Sequence, residues 1–159
     1  MNFHILTLFP NIFKSVFSES IIKRAQGKDL VNIEIYNLRD WGLGKRKQVD
    51  DTPYGGGAGM VLRVDIIDRA LLALKSEVRS PKSRVILLTP QGKLFNQKKA
   101  QTLNKYSDII LICGHYEGFD ERIRSLVDEE ISIGDYILTG GEIPAMVIVD
   151  VVTRLIPGV

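Results

Sequence analysis

Asp108-Ile109-Ile110-Leu111-Ile112-Cys113, followed at once by Gly114-His115-Tyr116-Glu117-Gly118, is the stretch whose reading decides the fold. The run is short, apolar and rich in β-branched residues, and it shows no polar alternation. Those features mark a strand buried on both faces, with glycine released at its carboxyl end. The pattern recurs on either side. Residues 84–89 carry Val85-Ile86-Leu87-Leu88 and run into Pro90-Gln91-Gly92. Residues 130–133 form a third short strand that enters Ser132-Ile133-Gly134-Asp135-Tyr136-Ile137-Leu138-Thr139-Gly140-Gly141-Glu142-Ile143-Pro144.

Helical patterns lie between these strands. Residues 3–9 read as a first strand ending at Pro10, and 11–17 and 20–26 as short helices with Ile21 and Ile22 inward. The alternation Val31, Ile33, Ile35 reads as a strand over 31–38. Asp65 is read as the N-cap of a helix to about Val78, with Ile66, Ile67, Ala70, Leu71 and Leu74 on one face. A weaker helix spans 96–104, another follows Asp120, and the last, 144–155, is apolar on nearly all sides. Strand alternating with helix predicts an α/β domain, a mainly parallel sheet with helices on both faces. In such sheets ligands bind beyond the carboxyl ends of the strands. Three successive strand ends here carry glycine.

Within 132–144, Gly134, Gly140 and Gly141 permit close approach of a ligand to the backbone. Ile133, Tyr136, Ile137 and Leu138 are apolar enough to wall a pocket, and Pro144 suits the start of a helix. The stretch alone fits a glycine-bearing turn between core elements equally well; its neighbours favour a pocket.

The chain has 159 residues, 45% of them hydrophobic, enough for one domain with its own core. Its formal net charge is +2 and its pI about 8.7, which allows an anionic partner without demanding one. Cys113 is the only cysteine, so no intramolecular disulfide forms and a reducing cytoplasm fits. The first residues lack the features of a signal peptide, and no apolar run approaches the ~20 residues of a membrane span. No G-x-G-x-x-G follows a strand, no glycine loop ends in Gly-Lys-Ser/Thr, and no Ser sits in G-x-S-x-G. With His4 and His115 far apart, no metal site is expected from spacing. Cys113 reads as a core residue rather than a nucleophile.

Residues 39–60 show no regular period. They carry Lys45-Arg46-Lys47 and then Tyr54-Gly55-Gly56-Gly57-Ala58-Gly59, with Trp41, Val49 and Pro53 as anchors. A loop of this length is usually functional or disordered. Tyr54 among glycines suggests an aromatic platform beside exposed backbone N–H groups. An apolar glycine-walled pocket suits an adenosine-bearing molecule, and a basic glycine-rich loop suits a phosphodiester or an extruded base. Together they point to group transfer onto a nucleic acid.

Residues 50–60, 113–122 and 132–142 closely resemble the motifs of the bacterial tRNA (guanine-N1)-methyltransferase family, TrmD, and the likeness runs in order from Leu8-Phe9-Pro10 to Ile156-Pro157-Gly158-Val159. The resemblance implies a SPOUT-type domain with a deep trefoil knot toward its C-terminal end. It implies S-adenosylmethionine as methyl donor and, as acceptor, N1 of the guanine 3′ of the tRNA anticodon. Leu88, Pro90, Gly114, Tyr116 and Glu117 are the cofactor residues implied in the first two loops. Ile133, Gly134, Asp135, Tyr136, Ile137 and Leu138 follow in the third, with Gly140, Gly141 and Pro144. Tyr54, Gly55, Gly56, Gly57 and Gly59 match the loop that meets the target guanosine.

Arg154 matches an active-site arginine, though Asp150 one turn earlier offers it an ordinary ion pair. Glu117 is linked to catalysis and to a magnesium requirement; a carboxylate capping backbone N–H groups is the plainer reading. Arg46 stands where the family often has His. The family is a cytoplasmic homodimer with a shared active site. Its general base and tRNA-gripping second domain have no counterpart in residues 1–159. The chain is therefore read as the cofactor-binding catalytic domain, an N-terminal piece inactive alone. Two other classes compete: a nucleic-acid-binding module without catalysis, and a dimerisation domain that binds no ligand.

Overall fold

A computed structural model describes residues 1–78, 80–115 and 117–159. Strand β1 (Asn2–Thr7) leads into a 3-10 turn (Pro10–Phe13), α1 (Lys14–Phe17) and α2 (Ser20–Gly27). β2 (Asn32–Asn37) is followed by a 3-10 turn (Leu38–Trp41) and two short strands, β3 (Asp50–Asp51) and β4 (Val61–Leu62). Then come α3 (Val64–Glu77), β5 (Ser83–Leu94), α4 (Gln97–Leu103) and β6 (Asp108–Cys113). A 3-10 segment (Glu121–Leu126), β7 (Glu129–Ser132) and α5 (Glu142–Thr153) complete the chain.

The main sheet has the order β2-β1-β6-β5-β7 with every pairing parallel. β3 and β4 form a separate antiparallel ribbon. The expected α/β architecture is therefore present, and β6 shows why its sequence looks unalternating. All six of its residues are buried. Ile109, Leu111 and Cys113 join the core beneath α1, α2, α4 and α5. Ile110 and Ile112 join the core beneath α3. A central strand with helices on both sides alternates between two apolar destinations, so no polar residue is required.

α5 inserts Ala145, Ile148, Val149 and Val152 into the first core. Full burial of each large aliphatic side chain is worth about 1.5–3 kcal/mol. Its apolar character thus comes chiefly from packing inside this chain. Val49, fully buried, ties residues 39–60 to the second core, and Trp41 packs against it.

Several local expectations are corrected. α3 is capped by Arg63 rather than Asp65. The Asp65 carboxylate accepts from Arg63 Nε at 2.9 Å and Nη2 at 3.1 Å, so the guanidinium occupies it instead of a backbone amide. Ile21 is exposed, and only Ile22 and Ala25 of α2 are buried, because α2 has just two turns and one narrow apolar edge. α5 begins at Glu142, with Pro144 third in the helix, where its missing N–H still costs nothing. The segment after Asp120 is 3-10, capped by the Asp120 carboxylate accepting from the Arg122 amide.

β5 is longer than expected because it breaks register beside β7. Ile131 pairs first with Leu88 and, after a four-residue excursion, with Lys93. Gly92 permits the return: a Cβ there would lie 2.5 Å from the Ile131 backbone.

Candidate cofactor cavity

β5, β6 and β7 deliver their loops to one cavity of about 360 Å³. Leu87, Leu88 and Pro90 come from the first, Gly114 and Glu117 from the second, and Ile133 to Gly141 supply most of the third wall. Twelve of the cofactor residues inferred from sequence line it: Leu88, Pro90, Gly114, Glu117, Ile133, Gly134, Tyr136, Ile137, Leu138, Gly140, Gly141 and Pro144. Asp135 does not line it, and Tyr116 lies outside the described residues.

Close backbone contacts shape the walls. The Gly141 amide donates to the Gly114 carbonyl at 2.9 Å. The Tyr136 ring folds back over Gly134, where a Cβ would lie 2.3 Å from a ring carbon. Tyr136 and Ile137 are exposed, Ile137 at 81%, so they form the open side of the cavity rather than its floor. The floor is Leu87, Leu88 and Ile131, all nearly fully buried.

Sequence reading did not single out Thr89, Gln91, His115, Phe119, Glu121 and Arg124, which also line the cavity. The first four sit inside or beside the glycine loops, so their nearness was a usable signal. Glu121 falls within the family motif of residues 113–122, whereas Arg124 lies outside every motif and reaches the cavity through the 3-10 segment that follows Asp120. Arg124 is held there by Glu121 (Nε–Oε2 2.8 Å), Glu130 (Nη1–Oε1 3.0 Å) and Gln91, which tie three lining segments together.

The glycine-rich loop abuts the same site. The Glu117 amide donates to the Met60 carbonyl at 3.1 Å, and Leu62 bridges to Phe119. Pro53, Tyr54, Val61, Phe119, Asp120, Glu121 and Arg122 line a second hollow, so Phe119 and Glu121 belong to both. Tyr54 is 99% exposed, consistent with a platform rather than a core residue. Gly55, Gly56, Gly57 and Gly59 all adopt positive φ.

Arg154 caps the far end of α5 and is exposed. It lines neither hollow, and among the described residues no ion pair joins it to Asp150; only its backbone amide donates to the Asp150 carbonyl. Burial, and then the nearby Glu142 carboxylate, push the Cys113 thiol well above its ordinary value, which suits a core residue and not a nucleophile. Among the described residues no group of three metal-ligating side chains converges, and no helix is long and apolar enough to cross a membrane.

A parallel sheet with a glycine-walled cavity beyond its strand ends defines an α/β domain of the class whose ligands bind at that edge of the sheet. The profile of the tRNA (Guanine-1)-methyltransferase TrmD family matches residues 1–159, and the chain belongs to that family. It is 59% identical to the tRNA (guanine-N(1)-)-methyltransferase of Dictyoglomus turgidum over 155 residues, covering 98% of this chain and 62% of that protein. It is 54% identical to the enzyme of the same name from Syntrophomonas wolfei over 159 residues, covering 100% of this chain and 64% of that one. The chain thus spans somewhat under two thirds of the length of these curated relatives. The crystal structure of tRNA (m1G37) methyltransferase from Aquifex aeolicus superposes with a TM-score of 0.90 at 42% identity, covering 100% of this chain and 71% of that one.

Proposed function

We propose that this chain is the cofactor-binding part of a methyltransferase that moves a methyl group from S-adenosylmethionine to N1 of the guanine 3′ of a tRNA anticodon. The observation that carries the reading is the convergence of three strand-end loops on one cavity that shares Glu117, Phe119 and Glu121 with the margin of the glycine-rich loop. The residues present fit the cofactor. The volume lies in the ~300–1,000 Å³ range of small-molecule sites. Apolar side chains suit the faces of an adenine ring, backbone groups are available to its edge, and the Glu117 carboxylate complements a sulfonium charge.

The cofactor supplies an activated methyl group. The protein must hold that group in line with the attacking nitrogen. Residues 132–141, held against Gly114, fix one wall of the cavity, and Glu117 holds the border with the glycine-rich loop. Tyr54 and the glycines around it then receive the extruded base. Arg154 stands at the far end of α5 from its own chain's cavity and, among the described residues, takes no side-chain ion pair, so its part in stabilising charge on the guanine is read as one played across a site shared between two subunits. The general base that removes the N1 proton is expected from outside residues 1–159, as is the second tRNA-gripping region. The three loops at the strand ends are read as the SPOUT knot, a reading supported by the close approach of Gly92 to Ile131 and of Gly141 to Cys113. A homodimer is supported by Phe9, Ile12, Val16 and Ile143, large apolar side chains left exposed on neighbouring elements. Magnesium, with no set of ligands assembled among the described residues, enters no step.

Calorimetric titration of the 159-residue chain with S-adenosylmethionine, with NAD and ATP as controls, tests the reading. Saturable heat with S-adenosylmethionine alone is expected. Binding of NAD or ATP instead, or binding of tRNA by a chain that takes none of the three, overturns it.

A further inference from the structure

Glu142 is a carboxylate only 5% exposed, at the first position of α5, immediately after the two glycines of the cavity wall. A buried charge without a partner is costly, so its partner matters. That partner is Thr7, itself fully buried at the end of β1: Thr7 Oγ1 donates to Glu142 Oε1 at 2.7 Å. Thr7 Oγ1 in turn accepts from the Phe9 amide at 2.9 Å. The second carboxylate oxygen lies against the cavity loops. A Cβ on Gly140 would meet Glu142 Oε2 at 2.3 Å and the Gly114 carbonyl at 3.2 Å. The Phe9 ring meets His115 edge-on at 4.9 Å, and His115 lines the cavity. One short chain of contacts therefore runs from the turn after β1, through Thr7 and Glu142, to both loops of the cavity wall.

We propose that the Thr7–Glu142 hydrogen bond is a positioning device for the cofactor cavity: it anchors residues 139–141 to the central sheet and so holds the third loop against the second before a ligand arrives. The inference rests on the cofactor reading above. Glu142 stands at the first position of a twelve-residue helix, so its side chain is fixed between β1 and the loop that precedes the helix. Preorganisation of this kind appears as affinity, because the cofactor need not order the loop on binding.

The test is a double-mutant cycle read in S-adenosylmethionine affinity, with thermal unfolding recorded alongside. Thr7→Val removes the donor with little change of shape, and Thr7→Ser keeps it. Glu142→Ala removes the acceptor, and Glu142→Gln keeps a carbonyl oxygen for Thr7. Thr7→Val and Glu142→Ala should each weaken cofactor binding about tenfold. The double variant should bind no worse than the weaker single, and Thr7→Ser and Glu142→Gln should restore near-normal affinity. Unchanged affinity in a folded Thr7→Val chain overturns the proposal. So do losses that simply add, since additive losses mean that the two residues act independently and not through their shared hydrogen bond. If Glu142→Ala does not fold, the Thr7→Val and Thr7→Ser comparison decides alone. Failure of the unaltered chain to bind S-adenosylmethionine would instead overturn the cofactor reading.

Discussion

Gly141 and Gly114 touch through their backbones: the Gly141 amide donates to the Gly114 carbonyl at 2.9 Å, and a Cβ on Gly141 would stand 2.7 Å from Cys113 Cα. The obstruction is backbone at the end of a fully buried strand, so no side chain can swing away. Gly141→Ala must push the third loop off the second. Cofactor affinity should fall at least about tenfold, or ~1.4 kcal/mol. Isothermal titration of the folded variant checks this, and unchanged affinity would remove Gly141 from the cavity wall.

Gly59 plays a related part at the border with the glycine-rich loop. Its φ of +88° disfavours any L side chain, and a Cβ would lie 2.1 Å from Glu117 Cγ. Gly59→Ala should destabilise the chain by about 1 kcal/mol or more and displace Glu117. Gly44→Ala is the control, because Gly44 has φ of +65° with open space around it. It should lose stability without losing cofactor affinity, whereas Gly59→Ala should lose both. Parallel urea melts and titrations separate the two effects.

Ile148 and Ile137 are the same residue type with opposite duties. Ile148 is fully buried in α5; Ile137 is exposed at the cavity mouth. Ile148→Ala should cost about 2–5 kcal/mol of stability. Ile137→Ala should stay within about 0.5 kcal/mol of the parent in urea while weakening cofactor binding.

Burial of Glu129 opposes its ionisation, but hydrogen bonds from Lys99 and then Arg84, with their charges, outweigh it and hold the carboxyl below its ordinary value. The unfolded chain therefore takes up this proton first as pH falls. The stabilisation is complete above the ordinary glutamate value of about 4.3 and is lost as pH drops through the depressed folded value. Glu129→Gln should lower stability at neutral pH and flatten the decline below about pH 4.3. Urea midpoints measured across that range test both parts.

Arg154 takes no ion pair with Asp150 among the described residues, so Arg154→Ala should alter stability by no more than about 0.5 kcal/mol and leave cofactor affinity unchanged. In a protein that also carries the general base, methyl transfer to tRNA should slow markedly. Normal turnover there would assign Arg154 to the solvated surface.

Much of this molecule was written locally. The apolar runs of β5 and β6 announced buried strands because a strand covered on both faces needs no polar residues. The Ile66, Ile67, Ala70, Leu71, Leu74 face of α3 was legible from helical spacing, and all five residues are buried. The glycines at 114, 134, 140 and 141 marked the cavity walls, since backbone packed this closely leaves no room for a Cβ. One misreading arose where a side chain had two partners within reach. Asp65 looked like a cap, but the Arg63 guanidinium, stronger than a backbone amide as a donor, had taken it.

The sequence by itself determined the alternation of strand and helix, the family motifs and the three glycine-bearing loops at the strand ends, because these depend on residues close together in the chain. Only the tertiary structure decided the sheet order, the double pairing of Ile131 with β5, the arrival of Glu121 and Arg124 at the cavity, and the partnership of Thr7 with Glu142. Each of these joins segments distant along the chain. Their contacts leave no period or spacing to read, since they exist only once burial of two apolar faces has brought the strands into register.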